Sequence, residues 1–227
     1  MMEFLADSAD VQAIGKVMET IPLDGITTNP SILAKSPDDL AETMKQLKDL
    51  TARGLMLHVQ VTAPDCAGML DQAKKLAGYF GKSLYVKIPV TGEGVRAMRL
   101  CKSAGLRVTA TAVFSPMQAV VAAKAGADYI APYVNRIDNI TADGVHAVAV
   151  MADLLKKQGY PARILAASFK NVQQMLGVAA CGCDSLTASP ELLEKLIFHP
   201  YTDLSCLDFG ADWKKRFGSR QITDFIP

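Results

Sequence analysis

Eight short apolar segments, each followed by a longer stretch with helical spacing, run the length of this chain. They fall at Glu3–Asp7, Gly25–Asn29, Leu55–Val61, Leu84–Val90, Arg107–Val113, Asp128–Val134, Arg163–Ser168 and Asp184–Thr187. Strand alternating with helix implies a parallel sheet, because each crossover helix returns the chain to the same sheet end. Eight such units imply closure, so the predicted fold is a single (β/α)8 TIM barrel. A doubly wound open sheet is the competing arrangement of the same rhythm. The length of 227 residues suits one barrel, and 50% hydrophobic residues against 21% charged leave ample material for a closed core.

The helix boundaries carry their own signals. Ser36-Pro37, Ser115-Pro116 and Ser189-Pro190 each put a capping hydroxyl before a proline suited to the first helical position. Ser115 and Gln118 have capping-box spacing, and Ala63-Pro64 after Thr62 is a looser start. Gly54, Gly81, Gly105, Gly126 and Gly159 stand where helices should stop. Leu40, Met44, Leu47 and Leu50 form an apolar stripe expected to pack on the barrel. Asp203–Phe217, with the single tryptophan Trp213, reads as an extra C-terminal helix. The predicted organisation is a barrel with that helix over residues 1–218 and a tail over 219–227.

Several function classes are disfavoured. The formal charge is +1, from 24 basic and 23 acidic residues, with no basic stripe for nucleic acid. The start Met2-Glu3-Phe4-Leu5-Ala6-Asp7 shows no secretory signal, and no apolar run approaches the ~20 residues needed to cross a bilayer. No membrane association and a cytoplasmic location are expected. Five cysteines without framework spacing read as reduced, buried thiols. Cys181 and Cys183 lack a second Cys/His pair, and His58, His146 and His199 do not cluster, so no metal is expected. No glycine-rich nucleotide loop follows the first strand, and no cofactor is expected.

A barrel enzyme builds its site at the C-terminal strand ends. The polar residues at or near those ends are Asp7, Asn29, Gln60, Lys87, Thr111, Tyr133 and Ser168. Alternation puts Thr27, His58, Tyr85 and Thr109 on the same inward side, and Val59, Val61, Val86, Ile88, Val108 and Ala110 on the outward side. Lys87 is the most informative of these, because its neighbours in Leu84-Tyr85-Val86-Lys87-Ile88-Pro89-Val90 are nearly all apolar. Burial disfavours the charged form of an amine, and a neutral amine attacks a carbonyl to form an imine. The plain alternative is a strand-end lysine whose head reaches water. His58 reads as a filler of the barrel interior.

Gly25-Ile26-Thr27-Thr28-Asn29-Pro30-Ser31, Val86-Lys87-Ile88-Pro89-Val90-Thr91 and Ala131-Pro132-Tyr133-Val134-Asn135-Arg136-Ile137-Asp138 together resemble the small transaldolase family. Ala166-Ala167-Ser168-Phe169-Lys170 and Asp212-Trp213 extend the likeness, and the nearest branch resembles fructose-6-phosphate aldolase. The resemblance implies that Lys87 forms a Schiff base with a ketose or dihydroxyacetone. It assigns Asp7 to the substrate hydroxyls and proton transfer, and Gln60, Thr111 and Tyr133 to a catalytic water. It assigns Asn29 to positioning the lysine and the substrate, and Arg136 and Ser168 to a phosphate, for which an arginine fork is suited. Thr27, on the inward side, is a further candidate for substrate binding. Family members form pentamer-based rings and decamers, so a homo-oligomer is implied.

Gln60 and Tyr133 match the aldolase branch, where small transaldolases usually carry Glu and Phe. Ser8, Phe114 and the tail beyond Gly218 depart from the aldolase pattern. The expected function is a class I aldolase for fructose 6-phosphate, formed from dihydroxyacetone and glyceraldehyde 3-phosphate. A transaldolase passing a dihydroxyacetone unit between sugar phosphates is the alternative. A non-catalytic sugar-phosphate-binding barrel is the remote one, since fold alone does not fix function.

Overall fold

The computed structural model of the chain describes residues 2–36 and 38–226. The first half runs β1 (Glu3–Asp7), α1 (Val11–Met18), β2 (Gly25–Thr27), α2 (Pro30–Leu33), α3 (Leu40–Thr51), β3 (Met56–Gln60), α4 (Cys66–Phe80) and β4 (Leu84–Pro89). Next come α5 (Gly92–Ser103), β5 (Val108–Val113), α6 (Pro116–Lys124), β6 (Tyr129–Pro132), α7 (Val134–Asp138) and α8 (Gly144–Lys157). The chain closes with β7 (Arg163–Ala166), α9 (Val172–Ala180), β8 (Ser185–Ala188), α10 (Pro190–Glu194) and α11 (Pro200–Phe217). Every strand pairs in parallel with its sequence neighbours, and β8 returns to β1, so the sheet is a closed (β/α)8 barrel and not an open one.

The pleat divides the apolar residues between two cores. Ile26, Leu57, Val59, Val86, Ile88, Val108, Ala110 and Leu186 face outward and are buried under the helices. Each large aliphatic side chain removed from water there stabilises the fold by about 1.5–3 kcal/mol. Leu5, Tyr129 and Leu165 form a smaller cluster inside the barrel, with Met56 and Tyr85 against it.

Most of the boundary signals hold. Ser115 and Gln118 form the reciprocal capping box, with Pro116 in the first turn. The five glycines expected at helix ends all take positive φ, from 67° at Gly81 to 93° at Gly54. Other starts are shifted. α4 begins at Cys66 under the Asp65 side chain, which accepts from the Gly68 amide, so Ala63-Pro64 precedes the true cap. α3 is capped by Asp39. The Ser36 hydroxyl instead pairs with Thr43, and Pro37 lies outside the described residues. Ser189 holds the cap position of α10 without a side-chain bond to the helix. In the α3 stripe Leu47 and Leu50 are buried but Leu40 is 53% exposed, because it overhangs a groove between α3 and α4 instead of meeting a strand.

α11 starts three residues before the expected Asp203, at Pro200 after the cap His199, and buries none of its residues. The chain's own tail nevertheless covers part of the helix's apolar face. The Trp213 indole N–H donates to the Arg220 carbonyl at 2.7 Å. Phe225 packs edge-on against Phe217 and Trp213, with the Arg220 guanidinium 3.8 Å from its ring centre. Among the described residues no helix is long and apolar enough to cross a membrane. All five cysteines are free. Cys66, Cys101 and Cys183 are buried as expected, Cys181 is half-buried, and Cys206 on α11 is exposed, because that helix has no barrel face to cover it.

Candidate active site

Lys87 sits in the inward set of β4, between Val86 and Ile88, which point to the helices. It is 4% exposed, and its amine donates to the carbonyl oxygen of Thr28 at 2.8 Å. The helix that follows is docked close on the end of this strand. A Cβ on Gly94 would lie 1.9 Å from the Pro89 carbonyl oxygen, so glycine is required for α5 to seat there.

Around Lys87 the barrel mouth encloses a cavity of about 330 Å³. Asp7, Asn29, Gln60, Lys87, Tyr133, Arg136 and Ser168 line it, together with Pro30, Ser31, Ala112 and Ala167. Thr111 stands behind the wall, with its hydroxyl 2.9 Å from the Tyr133 hydroxyl. Thr27 lies beneath the floor, fully buried, and donates to Asp7 Oδ1 at 2.6 Å. A larger depression of about 560 Å³ lies outside the barrel between α3 and α4, with mostly apolar walls. Another of about 460 Å³ lies beside α8 and the start of β7 and mixes Asp153, Lys156, Arg163 and Asp184. Neither contains a buried amine.

Local geometry explains how each side chain arrives. β2 stops at Thr27 rather than Asn29, because the Asn29 side chain caps α2 by accepting from the Ile32 amide at 3.0 Å. Gln60 and Lys87 are direct register partners on β3 and β4. β5 carries an extra residue between Ala110 and Val113 relative to β6, and within this bulge Ala112 takes φ 56°. β6 and β7 end earlier than the sequence implied, at Pro132 and Ala166, leaving Tyr133 in a single bridge to Ala167 at the start of α7 and Ser168 in the loop after β7. Ser168 takes φ 63°, and its carbonyl accepts from the Asn135 amide at 2.8 Å. That bond ties Ser168 to α7, which carries the exposed Arg136, whose guanidinium lies 4.9 Å from the Tyr133 ring centre. Left-handed backbone at a residue other than glycine costs roughly 1–3 kcal/mol, and two of the three instances among the described residues, Ala112 and Ser168, line this cavity.

Below the lysine the interior is closed by rings. His58, fully buried, stacks on Tyr85 at 4.8 Å, and its Nδ1 is 2.7 Å from the Thr109 hydroxyl. Burial holds the His58 imidazole well below the ordinary histidine range, and the neighbouring Lys87 and Arg107 charges push it the same way. Burial, and next the Glu3 carboxylate to which its hydroxyl donates, push the Tyr129 phenol up. His146 is exposed on α8, away from the mouth. Among the described residues no group of three His, Cys, Asp or Glu side chains could hold a metal ion.

Three contributors were not singled out in the sequence. Thr28 acts through its carbonyl, which every residue type has, so no residue signal exists. Ala112 is exposed to the cavity by the bulge, which the run Val108-Thr109-Ala110-Thr111-Ala112-Val113 does not announce. Thr187 on β8 has its hydroxyl 2.7 Å from that of Thr27. Alternation from Ser185 along β8 would have turned it inward.

The model of the family Transaldolase/Fructose-6-phosphate aldolase matches residues 4–222. The chain is 36% identical over 222 residues to a probable fructose-6-phosphate aldolase of Streptococcus pneumoniae, covering 97% of this chain and 100% of that protein. It is 38% identical over 214 residues to a probable transaldolase of Anaeromyxobacter dehalogenans, covering 94% and 97%. A probable transaldolase of Roseobacter denitrificans is 36% identical over the same shares. A barrel with a buried lysine in its mouth, matched nearly end to end by these proteins, belongs to the transaldolase/fructose-6-phosphate aldolase family.

Proposed function

We propose that the protein is a class I aldolase that cleaves and forms fructose 6-phosphate through a Schiff base on Lys87. The observation that carries this reading is the Lys87 amine, buried among apolar neighbours and anchored on the Thr28 carbonyl in a polar cavity. The amine attacks the C2 carbonyl of the ketose, and loss of water gives a protonated imine. Asp7 takes the proton from the C4 hydroxyl, and the C3–C4 electron pair moves into the imine as an enamine. Glyceraldehyde 3-phosphate leaves. The enamine is protonated at carbon, and water hydrolyses the imine to free dihydroxyacetone and the lysine amine. Gln60, Thr111 and Tyr133 hold that water, which the 2.9 Å pairing of the last two hydroxyls favours. Asn29 and Thr27 keep the donor end in place, the latter through Asp7. Arg136 and Ser168, tied through α7, take the phosphate.

A second reading, transfer of the dihydroxyacetone unit to another sugar phosphate, is favoured by the two relatives named as probable transaldolases. The neutral amide of Gln60 and the phenol of Tyr133 favour hydrolysis over retention of the enamine. The free thiols fit a reducing compartment such as the cytoplasm. The exposed apolar residues of α11, Tyr201, Leu204, Leu207 and Phe209, support a homo-oligomer. Incubation with fructose 6-phosphate alone tests the function. Equimolar dihydroxyacetone and glyceraldehyde 3-phosphate should appear. Turnover only when a second aldehyde is added would make the protein a transaldolase, and no turnover with either would overturn both readings.

A further inference from the structure

We propose that Thr187 is a positioning residue that fixes the Asp7 carboxylate through the hydroxyl of Thr27. The proposal rests on the reading of Asp7 as the group that handles the substrate hydroxyl proton.

Thr187 and Thr27 belong to β8 and β2, the two strands that flank β1, on which Asp7 stands. Thr187 is in register with Leu5, one inward position below Asp7, and Thr27 with Asp7 itself. The two hydroxyls meet at 2.7 Å, above the apolar side chain of Leu5 and beneath the carboxylate. Thr27 is 0% and Thr187 1% exposed, so neither can turn to bulk water. A buried hydroxyl without a partner is costly, and both are therefore committed to this contact.

Proton counting fixes its direction. A threonine hydroxyl has one proton. Thr27 gives its proton to Asp7 Oδ1 at 2.6 Å, a length typical of a hydroxyl bonded to a charged acceptor. Thr27 has none left for Thr187, so while Asp7 is a carboxylate the donor in the second contact is Thr187. The chain runs Thr187 O–H to Thr27 O–H to Asp7, and each bond polarises the next. Held from below by Oδ1, the carboxylate keeps Oδ2 for the cavity. Removal of the first donor leaves Thr27 free to rotate and Asp7 without a fixed aim.

The test pits shape against the hydroxyl. Thr187→Val keeps the shape and removes the donor, whereas Thr187→Ser keeps the donor and removes a methyl group. With fructose 6-phosphate, Thr187→Val should lower kcat roughly ten- to hundred-fold with KM within about twofold. Thr187→Ser should recover at least about a third of the wild-type kcat, since the donor and its orientation remain. Borohydride trapping at Lys87 should persist in both. A wild-type kcat in Thr187→Val, or a Ser variant worse than the Val variant, would show that Thr187 only packs. Asp7→Asn separates this failure from failure of the underlying reading. If Asp7→Asn collapses kcat while Thr187→Val does not, the relay alone is refuted. If Asp7→Asn turns over like the wild type, the role of Asp7 and the relay fall together.

Discussion

The Lys87 amine on β4 and the Thr28 carbonyl after β2 are bonded at 2.8 Å across the end of β3. Thr28 is itself held on β3, where its amide donates to the His58 carbonyl at 2.9 Å and its hydroxyl reaches the same oxygen. The Lys87 amine is thus aimed by backbone, and a change of side chain at position 28 leaves its acceptor in place. Thr28→Ala is accordingly expected to retain imine formation at Lys87.

On the proposed aldolase mechanism, Gln60 and Tyr133 divide the two fates of the enamine. Gln60→Glu combined with Tyr133→Phe is expected to lower dihydroxyacetone release from fructose 6-phosphate and to raise transfer to erythrose 4-phosphate. Both rates belong on the same preparations. A parallel fall in the two would mean that these residues support the fold of the mouth and not the partition.

Arg136→Ala should raise KM for phosphorylated acceptors much more than for unphosphorylated aldehydes. Loss of one charge-assisted contact is worth about 1.5–3 kcal/mol, or roughly ten- to hundred-fold. Steady-state kinetics with glyceraldehyde 3-phosphate and glyceraldehyde make the comparison. Equal damage with both aldehydes would assign Arg136 to packing on Tyr133.

His58 gives the fold an acid limit. Its folded-state affinity for a proton is depressed by burial, while in the unfolded chain it titrates near the ordinary value of 6.5. Below that value the unfolded chain gains a proton that the fold refuses. The stability it contributes is therefore full above about pH 6.5 and is lost as pH falls, by up to about 1.4 kcal/mol per pH unit. His58→Phe, which keeps a ring to stack on Tyr85, should flatten the Tm curve between about pH 7.5 and 5.5. Tm curves of equal slope for the two proteins would contradict this.

Strand alternation made much of this legible. The inward and outward sets of β3, β4 and β5 follow from counting by two, and the polar residues so placed converge on one cavity. The strand ends were less legible, because Asn29 leaves β2 to cap α2 and Ser168 leaves β7 for a left-handed turn. Thr187 escaped notice because it lies in none of the motifs that carry the family likeness, and a lone hydroxyl on a strand does not reveal its partner. The tail escaped for another reason. Phe225 and Arg220 pack on Trp213 and Phe217, and so short an apolar pattern does not declare its partner.

Truncation after residue 200 should leave the barrel folded, since α11 buries none of its residues on it. It should also reduce the particle size in light scattering, because Tyr201, Leu204, Leu207 and Phe209 are removed. An unchanged large assembly would place the contact between copies elsewhere, and a monomeric full-length protein would refute self-association.

The most direct test of the central claim is borohydride reduction in the presence of dihydroxyacetone, followed by peptide mapping. The label should fall on Lys87, and Lys87→Met should be folded, unlabelled and inactive, because methionine keeps the length and apolar contacts without the nucleophile. A label on any other lysine, no label in an active wild type, or normal turnover in Lys87→Met would contradict the account.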